Sequence, residues 1–501
     1  VTDDTVTPAT SVSPVAPVRR FRVPEPDSGW WLVAVGVVLT VSQLAFVSLR
    51  MGLSWDESVY VSQVSGHAPA AFFDPARARG VPLIVAPVAW LTSSVAALRV
   101  YLSVASGLAL TVALWTWRGL RQAWVLGLAG VLFGGLWVAE YYGPQAMPDI
   151  WSALGSLAAV GCFCRWAYGG GLGGASGGAL GGRWTLAGLG VSVAFVTLVR
   201  PGDAVYLCVP LLVVAVAGAV RAGALRAGGG RYGAAGGAII GGLVAGGAEW
   251  VIEAYLRFGG VASRLREAGA EQNGFGLHFA LLDELKALNG PTLCRPCTIG
   301  VRDPELDLWW VLLPVLVAVG IVAARRAGHL ASALVPALCG LCLAGQYLFM
   351  INYAAPRFLL PAYALLAIPA ADGLAFVLTG VSRDMRPAVT ATVTCFLILQ
   401  LFTQHLVLDH EVGGTVTFHD DYTAIVAQLA AHGVRPPCLI QGVQYIPIAF
   451  YAGCASTGNA APGEPEAVLV QVRGHPPSYA RNWQVYRITG TTILKVNAYI
   501  R

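Results

Sequence analysis

Charge is what this sequence has least of. Only 12% of its 501 residues are Asp, Glu, Lys or Arg, about half the share found in a soluble globular domain. That scarcity, with 56% hydrophobic residues and a mean hydropathy of +0.64, excludes an ordinary water-soluble fold for most of the chain. A basic block is missing too. The net charge of +5 comes from arginines scattered through short loops between apolar runs, which excludes a nucleic-acid-binding surface. No Gly-x-x-x-x-Gly-Lys-Ser/Thr pattern occurs, so neither glycine-rich stretch, Gly169 to Gly182 or Gly228 to Gly247, is a phosphate loop. No clear repeat of two matching halves is present, which counts against the architecture of a secondary transporter. No signal-peptide layout is found either. The first apolar run is too long, and no small-residue cleavage pattern follows it.

What is there is a series of apolar runs about 17 to 25 residues long, the length of a membrane-crossing helix and not of a barrel strand. They predict an all-α polytopic membrane protein of about eleven helices. The expected spans are Trp30 to Leu49, Val95 to Trp117, Ala123 to Ala139, Pro148 to Phe163, Trp184 to Val199, Ala204 to Val220, Gly233 to Tyr255, Leu308 to Ala324, Ala331 to Met350, Phe358 to Leu378 and Pro387 to Leu406. Arginines recur in every second loop along this series, all on one side: Arg118 and Arg121, Arg165 and Arg183, Arg221, Arg226 and Arg231, Arg325 and Arg326, Arg383 and Arg386. The positive-inside rule then puts the amino terminus in the cytoplasm and the carboxyl end outside. Pro201-Gly202 leaves open whether the fifth and sixth spans are two helices or one broken segment.

Three further regions surround the spans. Residues 1–27, rich in Pro, Thr, Val and Asp, read as a disordered cytoplasmic tail. Residues 28–408 form the membrane domain, with long outer loops at 50–94 and 256–307. From residue 409 onward the composition changes. An amphipathic helix at Tyr422 to His432, short strands at Pro437 to Ile440, Ala467 to Val472 and Asn482 to Ile488, and a further strand within Thr491 to Ile500 predict a small extracytoplasmic α/β domain, 409–501. Gly169 to Gly182 reads as an inner linker, and the membrane part of Gly228 to Gly247 as a surface for close helix packing.

The ten cysteines divide by setting. Cys162, Cys164, Cys208, Cys339, Cys342 and Cys395 fall in apolar runs and read as small hydrophobes. Cys438 and Cys454 fit a disulfide in an outer compartment. Cys294 and Cys297, in a Cys-x-x-Cys on the second outer loop, fit a tight disulfide, free thiols or half a metal site. Two cysteines fall short of the four ligands that a structural zinc site wants.

The chemistry-bearing stretch is Ser54-Trp55-Asp56-Glu57-Ser58-Val59-Tyr60, directly after the first span. It places two carboxylates where a helix leaves the bilayer, flanked by Trp55 and Tyr60, rings suited to the interface. Neighbours on a helix face different ways, so the two acids are expected to have separate jobs. One is a general base within about 3 Å of the proton it removes. The other binds substrate or a cation, or fixes the first. The bland alternative is a solvated acid pair.

On the same side lie Arg77, Arg79, Arg200, Arg357 and the group Arg257, Arg264 and Arg266. Arginine pairs bidentately with phosphate, though each of these also fits a lipid headgroup. Arg357 opens a helix, where free backbone N–H groups add to its pull on an anion. Glu249 and Glu253 share a helix face near the end of the seventh span and are acids of functional interest by position. His278 reads as a surface or packing histidine.

Three local patterns, with the topology over residues 28–408, resemble the GT-C superfamily of polytopic glycosyltransferases, notably its protein O-mannosyltransferase, aminoarabinose transferase and actinobacterial arabinofuranosyl- and mannosyltransferase branches. They are the acid pair in Trp55-Asp56-Glu57-x-x-Tyr60, the turn Leu198-Val199-Arg200-Pro201-Gly202-Asp203, and the segment Asn352-Tyr353-Ala354-Ala355-Pro356-Arg357-Phe358-Leu359-Leu360-Pro361. The resemblance implies a membrane enzyme that takes a sugar from a polyprenyl-phosphate donor and passes it, with inversion, to a glycan, lipid or protein acceptor among the membrane lipids. It implies that Asp56 deprotonates or orients the acceptor hydroxyl and that Glu57 supports it or binds substrate. Arg357 and Arg79 would hold the lipid phosphate, with Arg77, Arg200, Tyr60 and Tyr353 as further binding residues. Some branches use a divalent cation, for which this sequence shows no clear ligand cluster. No basic residue directly follows the acid pair, a departure from the family pattern that bears on the phosphate clamp. The preference for Arg over Lys, of which there are two, fits a high-GC bacterium and hence its plasma membrane and cell envelope. Transport of envelope lipids and a non-catalytic assembly role are the competing expectations.

Overall fold

A computed structural model of the chain describes residues 27–169, 179–221, 230–272, 274, 276–456 and 465–501. The expected tail up to residue 26, most of the glycine-rich linker, and Arg226 with the start of the second glycine-rich stretch lie outside them.

The helices are, in chain order, α1 (Trp30–Phe46), α2 (Trp55–Ser62), α3 (Gly80–Ala89), α4 (Val95–Trp115), α5 (Ala123–Gly134), α6 (Trp137–Tyr142), α7 (Pro148–Tyr168), α8 (Ala179–Val199), α9 (Pro201–Arg221), α10 (Arg231–Arg257), α11 (Val261–Glu271), α12 (Leu281–Ala287), α13 (Leu308–Arg326), α14 (Ala331–Met350), α15 (Leu360–Thr379), α16 (Arg386–Ala431) and α17 (Tyr445–Ala452). Among the described residues nine helices are long and apolar enough to cross a membrane; α1 and α5 are shorter apolar helices. Every expected span has its helix, and Pro201 opens a helix of its own, so the fifth and sixth spans are separate. The chain is a multi-pass membrane protein.

Burial ranks the helices. In α7, 89% of the spanning window is buried, and in the span that contains α15, 78%; in α10 and in α13 with its lead-in, 22% each. Thus α7 and α15 are the centre, and the others trade one face to lipid. On α4 the outward stripe is Val100, Val104, Leu108 and Val112, all exposed, at the i, i+4 spacing of one helix face. Small residues set the closest crossing. A Cβ on Gly320 of α13 would overlap the Pro369 carbonyl of α15, so these backbones meet only because no side chain intervenes. At the far end of the bundle Arg121 donates from Nε to both oxygens of Asp372, at 2.7 and 2.9 Å, and from Nη1 to Ser332 at 2.9 Å. That buried bridge ties the starts of α5 and α14 to α15.

Two expectations are corrected. The third span is two helices, α5 and α6, broken at Gly135 and Leu136. The last span does not stop at Leu406. It continues as α16 to Ala431 and absorbs the separate helix expected at Tyr422 to His432. The loop 50–94 also carries two helices, α2 and α3, that hydropathy windows do not register because both are short.

Beyond α16 the chain forms a five-stranded mixed sheet, with β1 (Leu439–Gly442), β2 (Ala455–Ser456), β3 (Ala467–Gln471), β4 (Gln484–Arg487) and β5 (Val496–Ile500) in the order β2-β1-β3-β5-β4. β1 is parallel to β2 and β3, while β5 is antiparallel to β3 and β4. The end of α16 packs Tyr422, Ile425 and Leu429 against strand residues Ile440, Leu469 and Ala498. Disulfides join Cys438 to Cys454 and Cys294 to Cys297, so the second pair is a loop clasp. The other six cysteines are free.

Candidate active site

Ser54 starts α2 by a reciprocal cap. Its hydroxyl accepts from Glu57 N at 3.4 Å, and Glu57 Oε2 accepts from Ser54 N at 3.0 Å, the Ser-x-x-Glu box that sets a helix entry angle. The cap fixes where the two acids point. Glu57 is fully buried and Arg99 is 1% exposed. They pair through both guanidinium nitrogens, one bond being 2.9 Å to Oε2. Glu57 also accepts from Ala146 N at 2.8 Å. Arg99 spends its remaining donors on the carbonyls of Met51, Gly52 and Pro144. The pair therefore stitches the α1–α2 turn to the loop before α7.

Asp56 turns the other way, into a cavity of about 560 Å³ where α7, α9 and α15 begin. Its Oδ1 accepts from Arg77 Nη2 at 2.7 Å and its Oδ2 from Arg357 Nη2 at 3.3 Å. Burial alone would raise its carboxyl. Arg77, Arg357 and the more distant Arg200 outweigh that and hold it below the ordinary carboxylate range, the signature of an anion held by opposite charges. Its side chain keeps 31% exposure, so it is reachable from the cavity.

Arg357, from the Tyr-x-x-x-Arg segment, links the two acids of the floor. Beside Asp56 it approaches Asp149 Oδ2 at 3.6 Å through Nε, and neither of those two atoms has a hydrogen-bond partner. Asp149, in the first turn of α7, takes its bond from Arg200 instead. Arg200 lies 5.1 Å above each of the Tyr347 and Phe358 rings. The Arg-Pro-Gly-Asp turn supplies that position. Its Asp203 is buried and accepts from Ser152 and Tyr347 hydroxyls, each at 2.6 Å, so the start of α9 is fixed to α7 and α14. Three helix starts converge here, and helix starts favour anions.

Tyr60, Tyr353, Arg77, Arg200 and Arg357 all line this cavity with Asp56. Burial pushes the Tyr60 hydroxyl up to about 12, so it is a neutral donor at physiological pH. Glu57 and Arg79 are not in the lining. Arg79 is held at Glu253, 2.5 Å away, and at Gln63, 2.9 Å away, and stacks 3.9 Å over Phe73. Glu253 also takes Arg264, 2.9 Å away, and Arg264 reaches the carbonyls of Pro75 and Arg77. Glu253 and Arg264 thus belong to the scaffold under Arg77, and Glu249 is at its edge, 4.0 Å from Arg79. His278 pairs by its backbone with Phe349 and is outside the cavity.

Sequence reasoning missed Asp149, Arg99, Arg295 and Gln444. Arg295 lines the cavity between the clasped cysteines and lies 4.8 Å over the Tyr353 ring. The Cys-x-x-Cys spacing was the only signal, and it pointed to metal as readily as to a clasp. Gln444 comes from the carboxyl-terminal domain and has φ 51°, a left-handed backbone uncommon for a residue with a side chain. Among the described residues no three His, Cys, Asp or Glu side chains come together to hold a metal ion.

No family model and no curated protein matches the sequence. Solved structures do match. ArnT from Cupriavidus metallidurans, bound to undecaprenyl phosphate, is similar with a TM-score of 0.63 at 13% identity over 94% of this chain and 98% of that one. The oligosaccharyltransferase AglB from Archaeoglobus fulgidus, in complex with an inhibitory peptide and a dolichol-phosphate, gives 0.52 at 10% identity over 88% of this chain and 69% of that one. At such identities the likeness shows the fold: this chain has the GT-C fold that its motifs resemble.

Proposed function

We propose that the protein is a glycosyltransferase that moves a sugar from a polyprenyl-phosphate donor to a cell-envelope acceptor at the outer face of a bacterial plasma membrane. One observation carries the reading: Asp56 is a reachable carboxylate held between Arg77 and Arg357 in a cavity at the start of three helices. A polyprenyl phosphate brings an anion to such a site, and two of the solved structures similar to this chain were obtained with undecaprenyl phosphate and dolichol-phosphate.

In the reaction the acceptor oxygen attacks the anomeric carbon from the face opposite the phosphate. The new C–O bond forms as the bond to the phosphate oxygen breaks, and the configuration inverts. The electron pair leaves on the phosphate, which Arg357, Arg200 and Arg77 neutralise. The acceptor proton passes to Asp56. A carboxylate of lowered pKa is a weak base, so it takes the proton late, once the attacking oxygen carries positive charge. Of the four acids that line the cavity, Asp56, Asp74 and Asp149 are engaged by arginine and Glu271 lies at its wall, so the phosphate charge is assigned to the arginines. Of the two roles expected for Glu57, support of Asp56 or substrate binding, this reading takes support, and it moves Arg79 from the phosphate to support. Glu57 seats α2, and Arg79 belongs with Glu253 in the scaffold of Arg77.

Asp56→Asn tests this. In proteoliposomes with a polyprenyl-phosphate sugar, transfer is expected to fall by roughly 10²- to 10⁴-fold, the usual worth of a positioned acid or base, with donor binding kept. Transfer at the parental rate would overturn the reading. A lipid flippase would instead keep its transport. Mass analysis of envelope glycans in a deletion strain then names the sugar and the acceptor.

A further inference from the structure

A second cavity, of about 810 Å³, lies in the carboxyl-terminal domain between the end of β3 and the β4–β5 loop. Its polar lining is Gln471, Arg473, Arg487, Thr489, Thr491 and Lys495. Three cations line it and, among the described residues, no acid does. Thr491 is 5% exposed, and its Oγ1 has no hydrogen-bond partner. A buried hydroxyl with no partner costs stability unless something else satisfies it, and Thr491 belongs to the wall of this cavity.

The cradle is also rigid. Asp421, buried near the end of α16, accepts three consecutive backbone N–H groups of the loop, from Thr492, Ile493 and Leu494, at 2.6 to 2.7 Å. Gln428 exchanges two bonds with the Thr489 backbone, at 2.8 and 3.0 Å. Lys495 is turned back onto the Thr491 carbonyl. The loop backbone is thus held from one helix, while the exposed Arg473 and Arg487 side chains stand at the ends of β3 and β4 beside it. Exposed Val472 and Ile493 flank it and offer apolar surface to a sugar ring.

We infer that this cavity is a binding site for an anionic group, a carboxylate or a phosphate, on a saccharide of the acceptor, remote from the hydroxyl that reacts. Adjacent residues connect the two sites: Val443 lines this cavity and Gln444 lines the one that holds Asp56. The two cavities thus share one stretch of backbone as a wall, on opposite sides of the 443–444 step. Naming the ligand an acceptor rests on the transferase reading; the binding itself does not.

The test uses the full chain in detergent micelles and three probes: a fluorescent four-residue uronic-acid oligosaccharide, its uncharged methyl ester, and inorganic phosphate as competitor. The charged oligosaccharide is expected to bind and the ester to bind at least about tenfold more weakly, the worth of a charge-assisted hydrogen bond. R473A/R487A is expected to weaken binding by about tenfold or more, T491V by about threefold, and R473K/R487K little, since charge is kept. Melting temperatures of the variants serve as the folding control. Equal binding of the ester, unchanged binding in R473A/R487A, or phosphate competing as tightly as the oligosaccharide would each overturn the site as a saccharide site. So would displacement of the oligosaccharide by vesicles of anionic lipid alone, which would make it a headgroup contact. Asp56→Asn is expected to keep this binding while losing transfer, so failure of the catalytic reading and failure of this one give different results.

Discussion

Asp56 and Glu57 differ by one position along α2, and that step of roughly 100° sends one to the cavity and the other to the core. For Glu57 the consequence is structural. Arg99→Met leaves the Glu57 charge buried without a counter-charge, which is expected to destabilise the protein by about 3–5 kcal/mol, read as a lowered melting temperature in detergent; Asp56→Asn, at a partly exposed carboxylate, is expected to lower that temperature less. For Arg357 the consequence is geometric. Arg357→Lys keeps a charge but not the planar fork, so the KM for donor is expected to rise by about tenfold with the fold intact. A third residue gives a pH test. Glu284, on α12, is buried and accepts from Ala355 N at 3.3 Å. Burial pushes its carboxyl up to about 8. A raised folded pKa favours the protonated acid, so its share of stability is full below the unfolded value and is lost as pH rises through about 8. The loss runs from the unfolded value near 4.5 up to that point, at roughly 1.4 kcal/mol per pH unit, and goes no further above it. Glu284→Gln is expected to flatten this fall between about pH 4.5 and 8 in melting curves, and an unchanged slope there would count against a neutral Glu284. Much at this scale was legible: the acid pair and the two arginine motifs each sit in a short window, and the Ser-x-x-Glu cap that the structure adds is equally local. The partners Asp149 and Arg99 were not, because each meets its counterpart only after segments more than forty positions apart have folded together.

At the scale of elements, hydropathy located every span but misjudged where two of them end. The break between α5 and α6 falls at a Gly-Gly pair inside an apolar run, which hydropathy averages over. The extension of α16 is the opposite case. Polarity rises at Asp409-His410-Glu411 and ends the apolar window, yet those residues continue a helix well enough. With 46 residues, α16 is about 69 Å long at 1.5 Å per residue, against about 30 Å of hydrocarbon. Its emergent half is the strut on which the sheet is built, since Asp421, Tyr422, Ile425 and Gln428 all act within the carboxyl-terminal domain. The strut has one weak place, Gly413-Gly414, where an added Cβ meets nothing within 4 Å. Gly413→Ala and Gly414→Ala are each expected to add about 0.4–1 kcal/mol of stability by restricting the unfolded chain. A fall in melting temperature would mean that α16 bends there.

The whole molecule is arranged so that its two folding units share one site. The tie is specific: the Tyr451 hydroxyl accepts from Leu53 N at 2.6 Å, Trp55 meets Tyr445 edge-on at 5.1 Å, and Gln444 reaches into the cavity that Asp56 and Arg357 line. The composition change near residue 409 made a separate domain legible, with four of its five strands. It carried no sign that the domain would close over the acid pair, because that contact depends on the direction of α16 and not on any local pattern. Gln444 carries the cost of the arrangement. Its left-handed backbone is worth about 1–2 kcal/mol of strain for a residue with a Cβ, and such strain persists where the surroundings hold it for a purpose. Gln444→Gly relieves the strain and removes the amide. If the domain supplies part of the acceptor site, this variant is expected to melt higher while its KM for acceptor rises severalfold and its KM for donor stays the same. A change confined to the donor KM would instead place Gln444 with the phosphate clamp, and the domain would then complete the donor pocket.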